Sequence, residues 1–189
     1  MIRAALFSLV FTAIAACAPA PRAASSLPDA TLLSSDGPRR LAEIVQPGHV
    51  TVIEFFSAEC PCQAAHDDRL RELAVAYRGR GVDVYAVDSE AGASTDRARN
   101  EALSRRYPFP ILADPTGALA DALGAEFATY TVVVDRLGYV RYRGGLDSDR
   151  THVTPDASLW VRDAVDRLLT GGDPRPSEAV ALGCALRRR

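Results

Sequence analysis

The sequence contains no lysine, since all 22 of its basic residues are arginine. This absence excludes every mechanism that uses a lysine nucleophile or a Schiff base. It also lacks a strong excess of either charge, because the formal net charge is −2 and the isoelectric point is near 5.9. We therefore expect no nucleic-acid partner. With 189 residues and 48% hydrophobic content, the chain suffices for one globular domain with a core and is too short for two ordinary ones.

The N-terminal segment has the features of an export signal. A short charged start precedes an apolar stretch, residues 4–16, which is too short to span a bilayer. It ends in Ile14-Ala15-Ala16-Cys17, which resembles the bacterial lipobox. This resemblance implies that residues 1–16 are a signal peptide, that Cys17 is lipidated and anchors the protein to a membrane, and that residues 17–26 are its tether.

An alternative for the same segment is a secretory signal cleaved near residues 18–20, which would discard Cys17. Both interpretations export the chain to an oxidising compartment. Alanine rather than aspartate follows Cys17, as in lipoproteins that are sent on to the outer membrane. We therefore expect a periplasm-facing lipoprotein of the outer membrane.

Residues 51–62 combine a buried strand with two cysteines. The apolar run 51–56 predicts a strand, a turn follows at residues 57–59, and a helical pattern starts after Cys60-Pro61-Cys62. A thiol at a helix N-terminus ionises more readily, because unpaired N–H groups and the helix dipole favour an anion. Proline suits the first helical turn. The pattern therefore predicts a reactive cysteine at the start of a helix.

Strand and helix patterns alternate along the rest of the chain, which indicates an α/β sheet. Two short strands flank a turn at residues 34–38, and a closing pair of strands and a helix precede a tail, residues 171–189, that carries Cys184. The other predicted elements are a helix from 63 that ends at Gly79 or Gly81, helices at 95–106, 118–123 and 156–169, and strands at 82–87, 109–112, 130–134 and 139–143.

Two sequence blocks resemble the redoxin branch of the thioredoxin superfamily, also called the alkyl hydroperoxide reductase/thiol-specific antioxidant branch. The first is Phe-Phe-Ser-Ala-Glu-Cys at 55–60. The second is Leu-Ala-Asp-Pro-Thr-Gly at 112–117, followed by the segments 132–135 and 138–144. The resemblance implies a thioredoxin-like domain over residues 27–170, with a central mixed β-sheet flanked by helices and an N-terminal β-hairpin extension.

The resemblance also implies roles for two residues. Cys60 matches the nucleophilic cysteine of the family, and Glu54 matches the buried carboxylate that transfers a proton beneath the active site. Burial on a central strand should raise the pKa of this carboxyl group, which suits an acid–base role. The alternative for Glu54 is a partly solvated strand residue.

The identity of the second thiol is left open. The usual second cysteine would lie where this chain has Gln63, whereas Cys62 comes one residue early. A Cys60–Cys62 disulfide would close a small, strained and therefore labile ring. Cys184 could instead be a resolving thiol, like the distal cysteine of two-cysteine peroxiredoxins, or half of a structural clamp. Once Cys17 is lipidated, three thiols remain.

A second departure from the superfamily concerns its cis-proline, which faces the active site. This chain has Tyr130 there, after Thr129. Because a cis bond before a non-proline residue costs about 3–4 kcal/mol, we expect a trans peptide and a substrate-binding edge reshaped by these two residues.

Reduction of peroxides is one alternative function. Ser57 matches the Thr or Ser that peroxiredoxins place three residues before the nucleophile, whereas Ile53 does not match their proline. Their activating arginine would be Arg141 or Arg143, although both are expected on a solvated strand face.

The main hypothesis is an enzyme of the cell envelope that exchanges thiols and disulfides. It would act without a cofactor on a protein or small-molecule disulfide, using Cys60 with Cys62 or Cys184. A competing hypothesis is a Cu(I) metallochaperone, in which Cys60, Cys62 and His66 bind copper, because soft thiolates select Cu(I). A third is a binding module with unreactive thiols. His66 is otherwise expected to be a solvated residue of the first helix, and residues 187–189 a solvated tail.

Overall fold

The computed structural model describes residues 25–188. The predicted signal peptide and the lipidation site at Cys17 lie outside the described residues. None of the helices between residues 25 and 188 is long and apolar enough to cross a membrane.

The centre of the fold is a mixed sheet in the order β1-β8-β7-β4-β5-β6-β2-β3. The strands β4, β5 and β6 are parallel neighbours, and the other pairings are antiparallel. The bounds are β1 Ser25–Ser26, β2 Thr31–Ser34, β3 Gly37–Arg40, β4 Val50–Phe56, β5 Val82–Asp88, β6 Ile111–Ala113, β7 Tyr130–Val134 and β8 Tyr139–Gly145.

Helices cover both faces of this sheet. Their bounds are α1 Leu41–Ile44, α2 Pro61–Ala76, α3 Thr95–Ser104, α4 Ala118–Leu123 and α5 Trp160–Leu169. Apolar residues of α1 and α4 belong to one core cluster, and those of α2, α3 and α5 belong to a second one. All seven residues of β4 are buried, because this strand lies between the two clusters. The α/β architecture and the N-terminal hairpin, β2–β3, are confirmed.

Two predicted elements start later than expected. The strand predicted from residue 109 begins at Ile111, because Pro110 has no N–H to donate to a sheet ladder. The last helix begins at Trp160 instead of residue 156. Ser158 is held in a loop: its carbonyl accepts a hydrogen bond from the Ser148 amide at 3.1 Å and its amide donates to the Ser148 hydroxyl at 2.9 Å.

The C-terminal segment packs back onto the domain. It forms bridges with β8, between Arg143 and Glu178, and with the loop before β7. The predicted arginine tail is solvated at Arg187, whose side chain is 56% exposed, but the two described arginines also form ion pairs. Arg187 contacts Glu59 at 2.6 Å and the buried Glu90 at 3.4 Å. Arg188 pairs with Asp121. The third arginine, residue 189, lies outside the described residues.

We expect Leu70→Ala to destabilise the protein by about 2–5 kcal/mol, because Leu70 is a fully buried residue of α2 within the second core cluster. Leu137→Ala is the matched control, since that leucine is 81% exposed, and its effect should stay within about 0.5 kcal/mol. Urea unfolding measures both. Equal effects of the two substitutions would show that α2 does not contribute to the core in this way.

Candidate thiol site

The site begins where β4 passes into α2. Cys60 is the N-cap of α2, and Pro61 occupies its first turn. The Cys60 amide donates to the Ser57 carbonyl at 3.3 Å, and the Cys60 carbonyl accepts from the Ala64 amide at 3.1 Å. These contacts fix Cys60 at the positive end of the helix dipole, where a thiolate is stabilised. The predicted location of this cysteine is confirmed.

Cys60 forms a disulfide with Cys184, from which it is separated by 124 residues. The two Cα atoms lie 5.8 Å apart, within the usual range for a disulfide. The Cys184 amide also contacts the Cys60 sulfur at 3.4 Å. Of the two partners that the sequence left open, the structure joins Cys184 to Cys60. Cys62 remains a buried free thiol.

The three sulfurs of Cys60, Cys62 and Cys184 nevertheless lie within 4.8 Å of one another. The sites of disulfide formation and of thiolate ligation therefore coincide. A cavity of about 530 Å³ lies elsewhere, and none of these cysteines lines it.

His66 does not join this cluster, and the prediction that it is solvated is wrong, because it is only 2% exposed. Its Nδ1 contacts the Cys62 carbonyl at 2.7 Å and its Nε2 contacts the Asp147 carboxylate at 3.1 Å. Burial lowers the pKa of His66, but the hydrogen bonds with Asp147 and Cys62 outweigh it, so the pKa is raised. Both ring nitrogens are thus engaged, which argues against the copper ligand set that includes His66.

Glu54 is fully buried in β4, so the alternative of a partly solvated residue is wrong. Neither of its carboxylate oxygens has a hydrogen-bond partner of good geometry, and the same is true of the Gln63 carbonyl oxygen. Burial raises the pKa of Glu54 well above its usual value, and the nearby Gln63 amide offsets only part of this effect. Burial in β4 therefore favours the neutral acid form of this group.

Polar residues that the sequence analysis missed lead from Glu54 towards the surface. The Gln63 side-chain amide donates to the Tyr107 hydroxyl at 3.2 Å, and that hydroxyl donates to Asp67. Asp67 in turn pairs with Arg105 at 2.8 Å. No motif signals this set, because its members come from α2 and from the segment between α3 and β6.

Thr129 and Tyr130 lie at the start of β7, beside β4. The only cis peptide among residues 25–188 is Arg175–Pro176, so the expected trans bond before Tyr130 is confirmed. Thr129 instead has a positive φ of 66°, a strained value for a β-branched residue. Its amide donates to the Phe55 carbonyl at 2.9 Å. The Tyr130 ring packs against Phe55, and its hydroxyl donates to the Leu123 carbonyl at 3.3 Å.

Ser57 contacts the glutamate that holds the C-terminal segment. Its hydroxyl donates to Glu90 at 3.0 Å, and Glu90 pairs with Arg187. Burial raises the pKa of Glu90, whereas hydrogen bonds from Arg187 and Ser57 lower it. The hydrogen bonds together outweigh burial, so the pKa lies below its usual value. Glu90 is thus an ionised, buried anchor for Arg187. Neither residue had been singled out from the sequence, because Glu90 follows β5 and Arg187 lies in the predicted tail.

The two candidate peroxide-activating arginines are engaged outside the thiol cluster. Arg141 pairs with Asp135 at 2.9 Å and with Asp173, and Arg143 donates to the Ser25 hydroxyl at 2.6 Å. They give no support to the peroxide-reducing alternative.

Comparisons with known proteins bear on the fold and the family. No curated protein matches the chain. Among solved structures, an uncharacterised conserved protein from Geobacillus kaustophilus is 29% identical, with a TM-score of 0.79 over 88% of this chain and 92% of the other. A hypothetical protein from Sinorhizobium meliloti 1021 is 26% identical, with a TM-score of 0.78 over 88% and 94%.

The thioredoxin domain of a thiol-disulfide oxidoreductase from Bacteroides vulgatus is 14% identical, with a TM-score of 0.53 over 63% of this chain and 85% of the other. This likeness establishes the thioredoxin-like fold that the sequence resemblance implied. The family model for Redoxin matches residues 22–158. Together with the three adjacent cysteines it supports a function in thiol redox chemistry, and the chain belongs to the Redoxin family.

Proposed function

We propose that this protein is a thiol–disulfide oxidoreductase of the cell envelope, with Cys60 as nucleophile and Cys184 as resolving thiol. The observation that carries the proposal is the disulfide between Cys60, at the N-terminus of α2, and Cys184, in the C-terminal segment. A cysteine at this end of a helix is the one expected to attack.

In the reducing direction, the Cys60 thiolate attacks one sulfur of a substrate disulfide. The substrate S–S bond breaks, a mixed disulfide forms, and the leaving thiolate takes up a proton. The Cys184 thiolate then attacks the Cys60 sulfur and releases the second substrate thiol. Two electrons have passed to the substrate, and the protein holds the Cys60–Cys184 disulfide. The reverse sequence oxidises a dithiol through the same atoms.

Glu54 is the proton carrier in this proposal. Its burial raises the pKa of the carboxyl group and so favours the protonated form, which can donate to a departing thiolate and recover a proton afterwards. The contacts from Gln63 through Tyr107 to Asp67 hold the polar environment in which this exchange occurs.

The location in the cell envelope rests on the lipobox-like residues that end at Cys17, and attachment to the outer membrane rests on Ala18. The Cys60–Cys184 disulfide also supports this location, because disulfides persist in exported proteins and are rare in the reducing cytosol.

A second candidate function is Cu(I) binding, and the observation in its favour is the sulfur cluster. In the reduced protein, three thiols whose sulfurs lie within 4.8 Å of one another offer the soft ligands that Cu(I) prefers. The ligand set would be Cys60, Cys62 and Cys184.

Cys60→Ser should abolish exchange with glutathione redox buffers, because it removes the attacking sulfur. Cys184→Ser should leave the attack intact but accumulate Cys60 as a glutathione mixed disulfide, because the resolving thiol is gone. Alkylation and mass spectrometry measure both states. Cys62→Ser is the control and should still cycle between the Cys60–Cys184 disulfide and two thiols. Retained cycling in Cys60→Ser would refute the assignment.

Glu54→Gln should remove a pH dependence of stability. The folded protein holds the Glu54 proton above the usual pKa of 4.5, whereas the unfolded chain releases it near that value. Stability is therefore lost as the pH rises from 4.5 towards the folded pKa. The variant should lose less stability over this range, and the pH profile of Cys60 alkylation should change with it. Urea unfolding at a series of pH values measures the free energy of unfolding. The same pH dependence in the two proteins would contradict a raised pKa of Glu54 in the folded state.

Competition with a chromophoric Cu(I) chelator tests the second function. The reduced protein should bind one Cu(I), and Cys184→Ser should weaken binding by at least about tenfold, since even residues that only orient a ligand contribute that much. His152→Ala is the control, because that exposed histidine lies outside the sulfur cluster and its ring Nδ1 contacts the hydroxyl of its neighbour Thr151. Equal affinity of all three proteins would remove Cys184 from the ligand set.

A further inference from the structure

The segment 183–187 lies on the domain as an extended peptide. The Cys184 carbonyl accepts a hydrogen bond from the Ala128 amide at 2.8 Å, and the Leu186 amide donates to the Glu126 carbonyl at 2.9 Å. Ala185 bridges to Phe127 in the antiparallel sense. This is the pattern of an added β-strand, in which main-chain bonds supply affinity and alternate side chains supply specificity.

Side chains on both sides of Cys184 meet defined surroundings. At Gly183, a Cβ atom would collide with the backbone of Ala128. Leu186 is only 8% exposed and belongs to the apolar cluster that contains Cys60 and Ala128. The groove therefore has no room for a side chain before the cysteine and has an apolar position two residues after it.

The groove continues at its far end with an acidic position. The Arg187 guanidinium pairs with Glu59 and Glu90, and the Arg187 carbonyl accepts from the Ala91 amide at 2.7 Å. Glu90 is 1% exposed and also pairs with Arg97 at 3.0 Å. Together with the exposed Glu59, it forms an acidic position that accepts a cation three residues after the cysteine.

We propose that this groove, formed by residues 126–128, Glu90 and the Cys60 sulfur, is a peptide-binding site whose substrates contain an extended Gly-Cys-X-Leu-Arg type of sequence. Residues 183–187 occupy it as an internal copy of such a substrate. This inference rests on the proposed thiol–disulfide exchange and adds the class of substrate.

Exchange at the groove balances without a further reagent. A peptide thiol loses its proton and attacks the Cys60 sulfur of the oxidised protein. The Cys60–Cys184 bond breaks, Cys184 leaves and takes up a proton, and a peptide–Cys60 disulfide forms. One thiol is consumed and one is released. The tethered tail competes at a high effective concentration, so weakening its fit should favour the peptide.

The test uses the peptide Ala-Leu-Gly-Cys-Ala-Leu-Arg-Arg, the sequence of residues 181–188, with its cysteine linked to 5-thio-2-nitrobenzoate. The Cys184→Ser protein attacks the peptide sulfur through Cys60, and the coloured thiolate that leaves reports the rate. Two further peptides carry alanine in place of the glycine or aspartate in place of the second leucine. Reaction of each peptide with free glutathione controls for intrinsic reactivity.

We expect both altered peptides to react with the protein about tenfold more slowly than the parent, because one atom clashes in the first and an apolar contact is lost in the second. Adding Leu186→Asp to the protein should accelerate the parent peptide, because the tail then vacates the groove. Wild-type protein gives an independent readout. After incubation with an equal mixture of the three peptides as free thiols, mass spectrometry should show more disulfide between Cys60 and the parent peptide than between Cys60 and either altered peptide.

Equal rates for the three peptides with the protein, together with normal reaction of a glutathione–nitrobenzoate disulfide, would overturn the groove and leave the proposed exchange standing. Failure of Cys60 to react with that glutathione compound or with any peptide would overturn both.

Discussion

The structure depends on the contact between the C-terminal segment and the N-terminus of α2, where the Cys60–Cys184 disulfide lies. A bond that closes a loop of this length lowers the conformational entropy of the unfolded chain, which stabilises the folded state by about 4–5 kcal/mol. In an exchange cycle this bond is broken and remade, so that contribution is present in only one of the two states. The backbone pairing with residues 126–128 and the ion pair of Arg187 with Glu90 hold the segment through contacts other than that bond.

A second constraint is the uncompensated carboxyl group of Glu54. Placing it in the fully buried strand β4 is unfavourable if it ionises, because neither oxygen has a hydrogen-bond partner. Burial therefore favours the neutral acid form of this group. The positive φ of Thr129 is a second local cost, and such costs persist where the surrounding structure enforces them.

The sequence predicted what local patterns determine. The run before Cys60 and the following helical period were sufficient for β4 and α2. The position of Glu54 in that run left its burial open, and only the packing on both faces of β4 decided it. The partners of His66 and Ser57 could not be predicted, because Asp147 and Glu90 lie 81 and 33 residues away and meet them only through the sheet topology. The same reason applies to the choice of Cys184.

The position of Cys62 follows from these contacts. It is buried within reach of both disulfide sulfurs, yet it stays free while Cys184 is paired. A disulfide between Cys60 and Cys62 would close the small, strained ring that makes such bonds labile, whereas the Cys184 pairing has an ordinary Cα separation of 5.8 Å. Cys62 is thus a second buried thiol beside the disulfide that joins Cys60 to Cys184.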